Sequence, residues 1–210
     1  MRSPDTSPSD GRSARLIHAA QVTPIPWRNG AGVTRLLHTE IGGDEAAPQW
    51  TLSLATIEES GPFSLFPGMD RHFVLASKTE FELIIGNERR HLAYTDSAVF
   101  PGETAVHTRA VAGTNIALNL MTRRTRCHGD VTIARWHDTL ALSRNDATAV
   151  VVLGGRLSLA GLSPAEGGCL GRHDAILLGD QPIHLSSTHA EVALIRVSET
   201  QDAGCPGAAP

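Results

Sequence analysis

Apolar and polar residues alternate with a period of two along most of the chain, and turn residues interrupt this alternation at short intervals. Such a pattern is typical of β-strands, and long stretches with the 3.6-residue period of a helix are nearly absent. We therefore expect an all-β protein. The main strands are predicted at Val33–Glu40, Trp50–Ile57, His72–Leu75, Phe81–Ile85, Ser97–Phe100, Asn115–Met121, Val151–Leu153, Arg156–Leu159, Asp174–Leu177 and Val192–Val197.

The later strands repeat the spacing of the earlier ones. Val151 follows Val74, and Asp174 follows Asp96, at an offset of about 77 residues, and the last strands keep nearly the same offset. A charged, loop-like passage at 122–130 separates the two runs. Repeated strand-turn-strand units almost without helix predict two small barrels or jelly rolls packed side by side.

The repeat suggests a division of the chain into two halves with a tail at each end. We predict a first barrel half at 15–125 and a second at 126–197. Residues 1–14 and 198–210 are rich in small and turn-forming residues and have little to bury, so both are expected to be disordered tails.

Composition excludes several classes of protein. The chain has 210 residues, 41% of them hydrophobic, which is ordinary for a globular protein with a real core. A net charge of -4 and 4% aromatic residues do not favour binding to nucleic acid. Three widely spaced cysteines fit a reducing compartment. Because neither a signal peptide nor a membrane span is apparent, we expect a cytoplasmic protein.

The stretch Gly61–Arg71 is the most distinctive loop of the sequence. Its two glycines and two prolines prevent a regular helix or central strand, and its phenylalanines, Phe63 and Phe66, are expected to anchor it on the domain. A rigid loop that ends in the guanidinium of Arg71 is a good place to hold an anion. The alternative is a simple corner between strands, with Arg71 solvated or paired to Asp70.

Two strands carry polar residues that invite a functional interpretation. Ser53 lies on the small, mildly polar face of its strand, which either borders a cavity or faces solvent. Asn119 lies in a strand that looks covered on both faces, and a buried amide without partners costs roughly 1 to 3 kcal/mol. Asn119 therefore either ties down a loop or faces a polar ligand.

The ten histidines do not form a recognisable metal motif. His-x-His, His-Glu-x-x-His and Cys-x-x-Cys spacings are absent, so scattered surface histidines are the better interpretation. Ser64 lies in a structured loop, but nothing nearby in the sequence pairs it with a base. We predict no metal, no cofactor and no catalytic residue.

Three motifs, Trp27–Thr34, Gly61–Arg71 and Asn119–Arg124, resemble those of the HutD/Ves family in order and separation. The resemblance covers about Ile17 to Val197. It implies a cupin-like (RmlC-like) fold with two jelly-roll barrel halves in one chain, a bicupin. It also implies an association with histidine utilisation, which such proteins are thought to modulate by binding a small metabolite, without established enzymatic activity.

Several residues match the family pattern by position and two depart from it. The family usually has an aspartate where this chain has Ala117, and often an arginine where it has Thr51. The metal-binding set of other cupins is also absent, which implies a metal-free member. The positions that match the pattern are Trp27, Asn29, Gly30, Gly32, Thr34, Ser64, Arg71, Asn119 and Arg124.

The resemblance and the loop lead to a predicted ligand set. We expect a non-enzymatic protein that binds a carboxylate metabolite similar to formylglutamate or urocanate, with Arg71 as a bidentate clamp. The predicted ligand-binding residues are Arg71, Asn29, Thr34, Ser53, Ser64, Asn119 and Arg124. One alternative is an enzyme that uses Glu103 or a histidine as general base. Another is a scaffold for protein interactions. Open sheet edges often pair between copies of a chain, so a homodimer is one expected assembly.

Overall fold

The protein is built from β-strands. The structure, a computed structural model, describes residues 12–42, 47–110, 113–161 and 168–200. Apart from one 3-10 turn at Ala19–Gln21, the regular elements of these ranges are strands, which confirms the predicted all-β class. Within the same ranges no helix has the length and hydrophobicity of a membrane span.

The strands, numbered β1 to β19 in chain order, form two large and two small antiparallel sheets. The first large sheet contains, in spatial order, Ile25–Pro26 (β2), Gly32–Ile41 (β3), Pro48–Ile57 (β4), Asn115–Arg123 (β11), Met69–Leu75 (β6) and Ser97–Pro101 (β9). The first small sheet contains Gly61–Pro62 (β5), Val106–Ala110 (β10), Phe81–Ile85 (β7) and Glu88–Leu92 (β8). The second large sheet contains Arg15–Ile17 (β1), Ala175–Leu177 (β17), Ala149–Gly155 (β14), Ala190–Glu199 (β19) and Cys127–Trp136 (β12). The second small sheet contains Thr139–Leu142 (β13), Ile183–Ser186 (β18), Leu157–Leu159 (β15) and Cys169–Leu170 (β16).

The strand order of the first two sheets recurs in the last two. The order β4-β11-β6-β9 matches β12-β19-β14-β17, and β5-β10-β7-β8 matches β13-β18-β15-β16. We call residues 25–123 the first half, and residues 127–199 together with β1 the second half. Strand β1 departs from the division predicted at 125/126, because its backbone pairs with β17 although it precedes the first half in sequence.

Three apolar clusters hold these sheets together. One lies inside the first half and includes Phe73 and Phe81, and another lies inside the second half and includes Val150 and Ile176. The third fills the space between the two large sheets. Its members from the first half are Leu37, Trp50, Leu52, Leu54, Val74, Ala76, Leu118 and Leu120, and those from the second half include Val151, Leu153, Ala193 and Ile195. Both faces of each large sheet are therefore covered.

The described residues extend beyond the predicted tail boundaries at both ends of the chain. The predicted tails fall mainly on 1–11 and 201–210, which lie outside the described residues. Within those described, the N–H of Arg12 donates to Oδ2 of Asp180 at 2.9 Å, and β19 continues past Val197 through Glu199. Backbone pairing with β12 fixes the last residues of β19, and side-chain composition does not reveal such pairing.

The passage at 122–130 is mostly strand, contrary to the prediction of a loop. Strand β11 continues through Arg123 and β12 begins at Cys127, so only a short turn separates them. A run of charged residues is typical of a loop, but here Arg123, His128 and Asp130 lie on paired strands, and only 124–126 form the turn. The prediction also missed the part of β12 beyond residue 130. The other missed strands are short, namely β1, β2, β5, β8, β10, β13, β16 and β18.

Candidate functional site

A pocket of about 480 Å³ opens in the first half between the turn that follows β2 and the loop that precedes β6. It contains four of the seven predicted ligand-binding residues, namely Asn29, Thr34, Ser64 and Arg71. The complete lining is Pro26, Trp27, Arg28, Asn29, Thr34, Pro62, Phe63, Ser64, Phe66 and Arg71.

A glycine-rich turn forms one wall of the pocket. The side-chain oxygen of Asn29 accepts a hydrogen bond from the N–H of Ala31 at 3.1 Å, and Gly30 adopts a φ of +72°, which favours glycine. Gly32 is required for packing, because a Cβ there would lie 2.1 Å from the carbonyl oxygen of Thr56. The turn is therefore fixed, and Asn29 is an exposed residue at the pocket wall.

Trp27 and Thr34 close this wall from the two ends of the turn. The indole Nε1 of Trp27 donates to Oγ1 of Thr34 at 2.8 Å. The Thr34 hydroxyl accepts in this bond, so its own proton remains able to donate to an acceptor in the pocket. Trp27 also packs against the apolar cluster of the first half, which fixes the orientation of its ring.

The opposite wall is the loop from Gly61 to Arg71. Phe63 is stacked on Phe73 with ring centroids 6.0 Å apart, so it anchors the loop as predicted. Phe66 does not serve as a buried anchor, since it is 41% exposed and lines the pocket. Its backbone N–H instead donates to the carbonyl of Gly102 at 2.8 Å, and this bond fixes the loop.

Arg71 is a cation without a carboxylate partner among the described residues. Its Nε donates to Oδ1 of Asn119 at 3.0 Å, and its Cζ lies 4.7 Å from the ring centroid of Phe63 and 5.9 Å from that of Phe100. Burial lowers the pKa of Arg71 to about 10, so the group remains charged at neutral pH. The pair with Asp70 considered from the sequence is not formed, since Asp70 pairs with Arg124, and the two Nη groups have no hydrogen-bond partner among the described residues.

Asn119 supports Arg71 from behind. It is 2% exposed and does not line the pocket, and its Nδ2 lies 3.5 Å from the carbonyl of Ala117. Ser53 is opposite Asn119 in the register of β4 and β11, and at 8% exposed it too lies outside the lining. Asn119 thus orients the guanidinium of Arg71, and Ser53 shares its buried face. The contact with Arg71 is the one that the structure gives for Asn119, and a direct contact between Asn119 and a ligand stays a prediction.

Arg124 lies away from the pocket, in contrast to its place in the predicted ligand set. Its guanidinium pairs with Asp70 at 2.8 Å and with Glu103 at 3.0 Å. The same hydrogen bond lowers the pKa of Glu103, which makes that carboxylate a weaker base. The two carboxylates engage Arg124, and Glu103 is not among the residues that line this pocket.

The sequence analysis missed Arg28, which lines the pocket beside Asn29. Arg28 is exposed and has no hydrogen bond or ion pair with the described part of the chain. It stands within the first quoted motif, and its position one residue before an Asn-Gly turn was the signal available. The described lining therefore holds two arginines and three aromatic rings but no carboxylate, an arrangement that suits an anion. No group of three or more potential metal ligands occurs in the described ranges.

The chain is similar in sequence to a known family of proteins. The sequence model of the HutD family matches residues 19–195. A protein named Ves from Citrobacter koseri is 34% identical over 163 residues, which cover 72% of this chain and 81% of that protein. An uncharacterized 21.2 kDa protein from the region 3' of hutC in Pseudomonas putida is 29% identical over 139 residues, or 66% of this chain and 72% of that one.

Solved structures show the same fold. The structure of HutD from Pseudomonas fluorescens SBW25, in a formate condition, superposes with a TM-score of 0.73 at 24% identity and covers 90% of this chain and all of that one. A conserved protein of unknown function from Pseudomonas aeruginosa PAO1 has the same TM-score at 25% identity, covering 89% of this chain and 100% of that one. A cupin 2 conserved barrel domain protein from Leptotrichia buccalis has a TM-score of 0.55 at 12% identity and covers 87% of this chain and 100% of that one. The fold is cupin-like.

Proposed function

The chain belongs to the HutD family, and from that premise we propose that it is a cytoplasmic, non-enzymatic modulator of histidine utilisation whose first-half pocket binds a small carboxylate metabolite. The observation that carries the proposal is Arg71, a guanidinium in the pocket wall that no described carboxylate neutralises. A desolvated cation of this kind gains most from an ionised ligand.

The geometry of Arg71 favours a carboxylate in one orientation. Its Nε is engaged by Asn119, so the two Nη groups form the edge that a carboxylate would meet with two parallel hydrogen bonds. The ring of Phe63 covers one face of the guanidinium and limits its movement. The clamp is therefore oriented before the ligand arrives.

The rest of the lining suits an acid of the size of formylglutamate or urocanate. Trp27, Phe63 and Phe66 offer apolar walls to a carbon chain or an imidazole ring, and the hydroxyl of Thr34 offers a donor. Arg28 adds a second positive charge at the pocket, which favours a second anionic or polar end on the ligand. None of the described lining residues is a histidine or a carboxylate, which favours binding over general-base catalysis.

Two wider features belong to the same proposal. The recurring strand order supports a bicupin with one cupin-like barrel per half, of which only the first carries the ligand. The open edge at β9, where Val99 is 56% exposed, supports a homodimer in solution. Light scattering measures this directly against the 22.3 kDa mass of one chain.

A thermal-shift screen tests the ligand class. The purified protein is incubated with N-formyl-L-glutamate, urocanate, glutarate and formate, and the midpoint of unfolding is compared with that of the protein alone. A ligand at about 100 times its Kd adds roughly 2.7 kcal/mol of stability, which gives a clear upward shift. We expect N-formyl-L-glutamate or urocanate to produce it.

The matched variants are Arg71→Met and Arg89→Gln. Arg71→Met keeps an unbranched, flexible side chain, although a shorter one, and removes the charge and the Nη donors, so the shift should disappear. Arg89 is exposed on β8, away from the pocket, and its substitution should leave the shift unchanged. If Arg71→Met responds to the acids as the parent does, the carboxylate clamp is wrong. If no acid shifts the parent, the metabolite role is wrong and a scaffold role takes its place.

A further inference from the structure

A second cavity, of about 230 Å³, lies where the two halves of the molecule meet. It is separate from the first pocket, because Thr34 and Arg35 are consecutive on β3 and strand alternation directs them to opposite faces of the sheet. Thr34 lines the first pocket and Arg35 lines the second. The other walls are apolar residues of the first half, such as Leu54 and Ile116, and the turn at 172–174 from the second half.

Asp174 holds this turn in place with both of its carboxylate oxygens. Oδ1 accepts a hydrogen bond from the N–H of Ala19 at 2.9 Å, and Oδ2 accepts one from the N–H of Gly171 at 2.9 Å. The Nδ1 atom of His18 lies 3.1 Å from the same Oδ2. Three partners therefore contact this carboxylate. Few of its hydrogen-bond acceptor sites are left for the arginines of the cavity.

The turn positions Arg172 and His173 with unusual rigidity. His173 has a φ of +74°, in the left-handed region that a non-glycine residue seldom adopts. Arg172 donates from Nε to the carbonyl of Leu153 at 3.1 Å and from Nη2 to the carbonyl of Ala76 at 2.7 Å, so its guanidinium is fixed between the halves. Burial lowers the pKa of His173, which leaves the positive charge of the cavity to the arginines.

Arg35 lines the same cavity as Arg172, from the other half of the molecule. It is partly buried and has no hydrogen bond or ion pair within the described residues. Two guanidinium groups at one small cavity repel each other unless an anion lies between them, and two forks of donors match the oxygens of phosphate or carboxylate.

We propose that this cavity binds a small oxyanion, a phosphate or carboxylate group, between Arg35 of the first half and Arg172 of the second. The ligand joins side chains from two halves that otherwise meet mainly through apolar packing, so its binding stabilises the folded protein. The site is independent of the acid proposed for the first pocket.

Calorimetric titration of the full chain with inorganic phosphate tests the site. A parallel titration with acetate shows whether the site prefers a phosphate or a carboxylate group. The parent should bind at least one of the two anions. Arg35→Gln should weaken this binding by about tenfold or more, which corresponds to the loss of one charge-assisted contact. Because Arg35 has no described partner to lose and its removal relieves the repulsion from Arg172, the thermal midpoint of this variant without added anion should equal or exceed the parent's.

Arg71→Met is the matched control, since it removes the arginine of the first pocket and leaves the second untouched. It should keep the binding of the small anion and lose that of N-formyl-L-glutamate, while Arg35→Gln should do the reverse. Three results would overturn the proposal: no binding of either anion up to about 20 mM, full binding in Arg35→Gln, or loss of binding in Arg71→Met alone. The last result would place the anion in the first pocket.

Discussion

Positions that correspond in the recurring strand order of the two halves carry different kinds of residue. In the first half, Asn119 of β11 pairs with Phe73 of β6. At the matched place in the second half, Leu194 of β19 pairs with Val150 of β14. The buried amide of one half is thus replaced by an aliphatic side chain in the other.

The difference extends to the arginine that this amide holds. Arg71 lies two residues before Phe73, and Thr148 lies two residues before Val150. Thr148 is 4% exposed, and its hydroxyl accepts a hydrogen bond from the N–H of Val197 at 2.9 Å, so it is satisfied within the fold. Arg71 keeps two donor groups that the fold does not use.

This comparison indicates that the two halves contribute differently to stability and to the pocket. The second half is filled with aliphatic side chains and contributes stability, because burial of apolar surface is the main favourable term in folding. The first half instead holds a largely buried cation and a buried amide beside a pocket, an arrangement that costs folding free energy and that the proposed ligand would offset. Substitutions in the two halves should therefore change different measurements.

The largest expected effect is a loss of stability from Ile176→Ala in the second half. Ile176 is fully buried, and truncation of such a side chain costs roughly 2 to 5 kcal/mol through lost transfer energy and the cavity left behind. Chemical denaturation should show this loss, while the affinity of the folded protein for N-formyl-L-glutamate stays at the parent value. Leu140→Ala, at a side chain that is 51% exposed, is the control and should be nearly neutral. A change in affinity in Ile176→Ala would mean that the halves are not independent.

Asn119→Leu should lower both stability and affinity, by giving the first half the residue found at the matched place in the second. The Nε of Arg71 then loses its acceptor, which costs roughly 1 to 3 kcal/mol of unfolding free energy. The guanidinium also loses its orientation, so the affinity for N-formyl-L-glutamate should fall by about tenfold or more.

A double-mutant cycle separates these two effects. Because Arg71→Met removes the group left unsatisfied, the combination of Arg71→Met with Asn119→Leu should recover part of the stability lost in Asn119→Leu alone. Additive stabilities in the double variant would show that Asn119 does not act through Arg71.

The sequence predicted the strands and the loop better than it predicted the contacts of the polar side chains. Alternation identifies β4 and β11 because large apolar residues occupy one face of each strand and smaller or polar residues occupy the other. The duplicated spacing reflects the recurring strand order. The glycine turn and the loop before β6 were recognisable from rare residues, which is why Asn29, Thr34, Ser64 and Arg71 meet at one pocket.

What the sequence did not reveal depends on distances across strands. Arg71 and Arg124 look equivalent as arginines beside a loop, but only the fold places Asp70 and Glu103 around Arg124 and Asn119 behind Arg71. The pairing of β1 with β17 is equally invisible to local patterns, because it joins residues more than a hundred positions apart.

Thr34→Val should have a moderate effect confined to the first half. The substitution keeps the branched shape and removes the oxygen that accepts from Trp27, so a loss of about 0.5 to 1.5 kcal/mol in unfolding free energy is expected. Affinity for N-formyl-L-glutamate should fall by a few-fold, since a donor in the pocket wall is also lost. Thr34→Ser retains the hydroxyl and should keep most of the parent affinity. An unchanged affinity in Thr34→Val would exclude Thr34 from the ligand contacts.

The smallest expected effect is a dependence of stability on pH at the contact between the halves. Burial lowers the pKa of His38, His72 and His173, all of which lie at or near this contact, where His38 packs 4.4 Å from the ring of Trp50. Their folded-state pKa values are below the ordinary value near 6.5, so the unfolded chain takes up protons first as pH falls. The stability they contribute is complete above pH 6.5 and is lost as pH falls below it. The thermal midpoint should therefore decrease between pH 7.5 and about 5.5.

A histidine variant and a control variant locate this dependence in the molecule. His72→Gln removes one of the buried titrating groups and should flatten the pH profile, because the coupling between proton uptake and unfolding is lost there. Leu140→Ala, at an exposed side chain that carries no titratable group, should leave the profile as in the parent. If both variants keep the full slope, the acid sensitivity does not come from His72, and carboxylates elsewhere in the molecule account for it. If His72→Gln alone flattens it, the junction is the part of the molecule that acid weakens first.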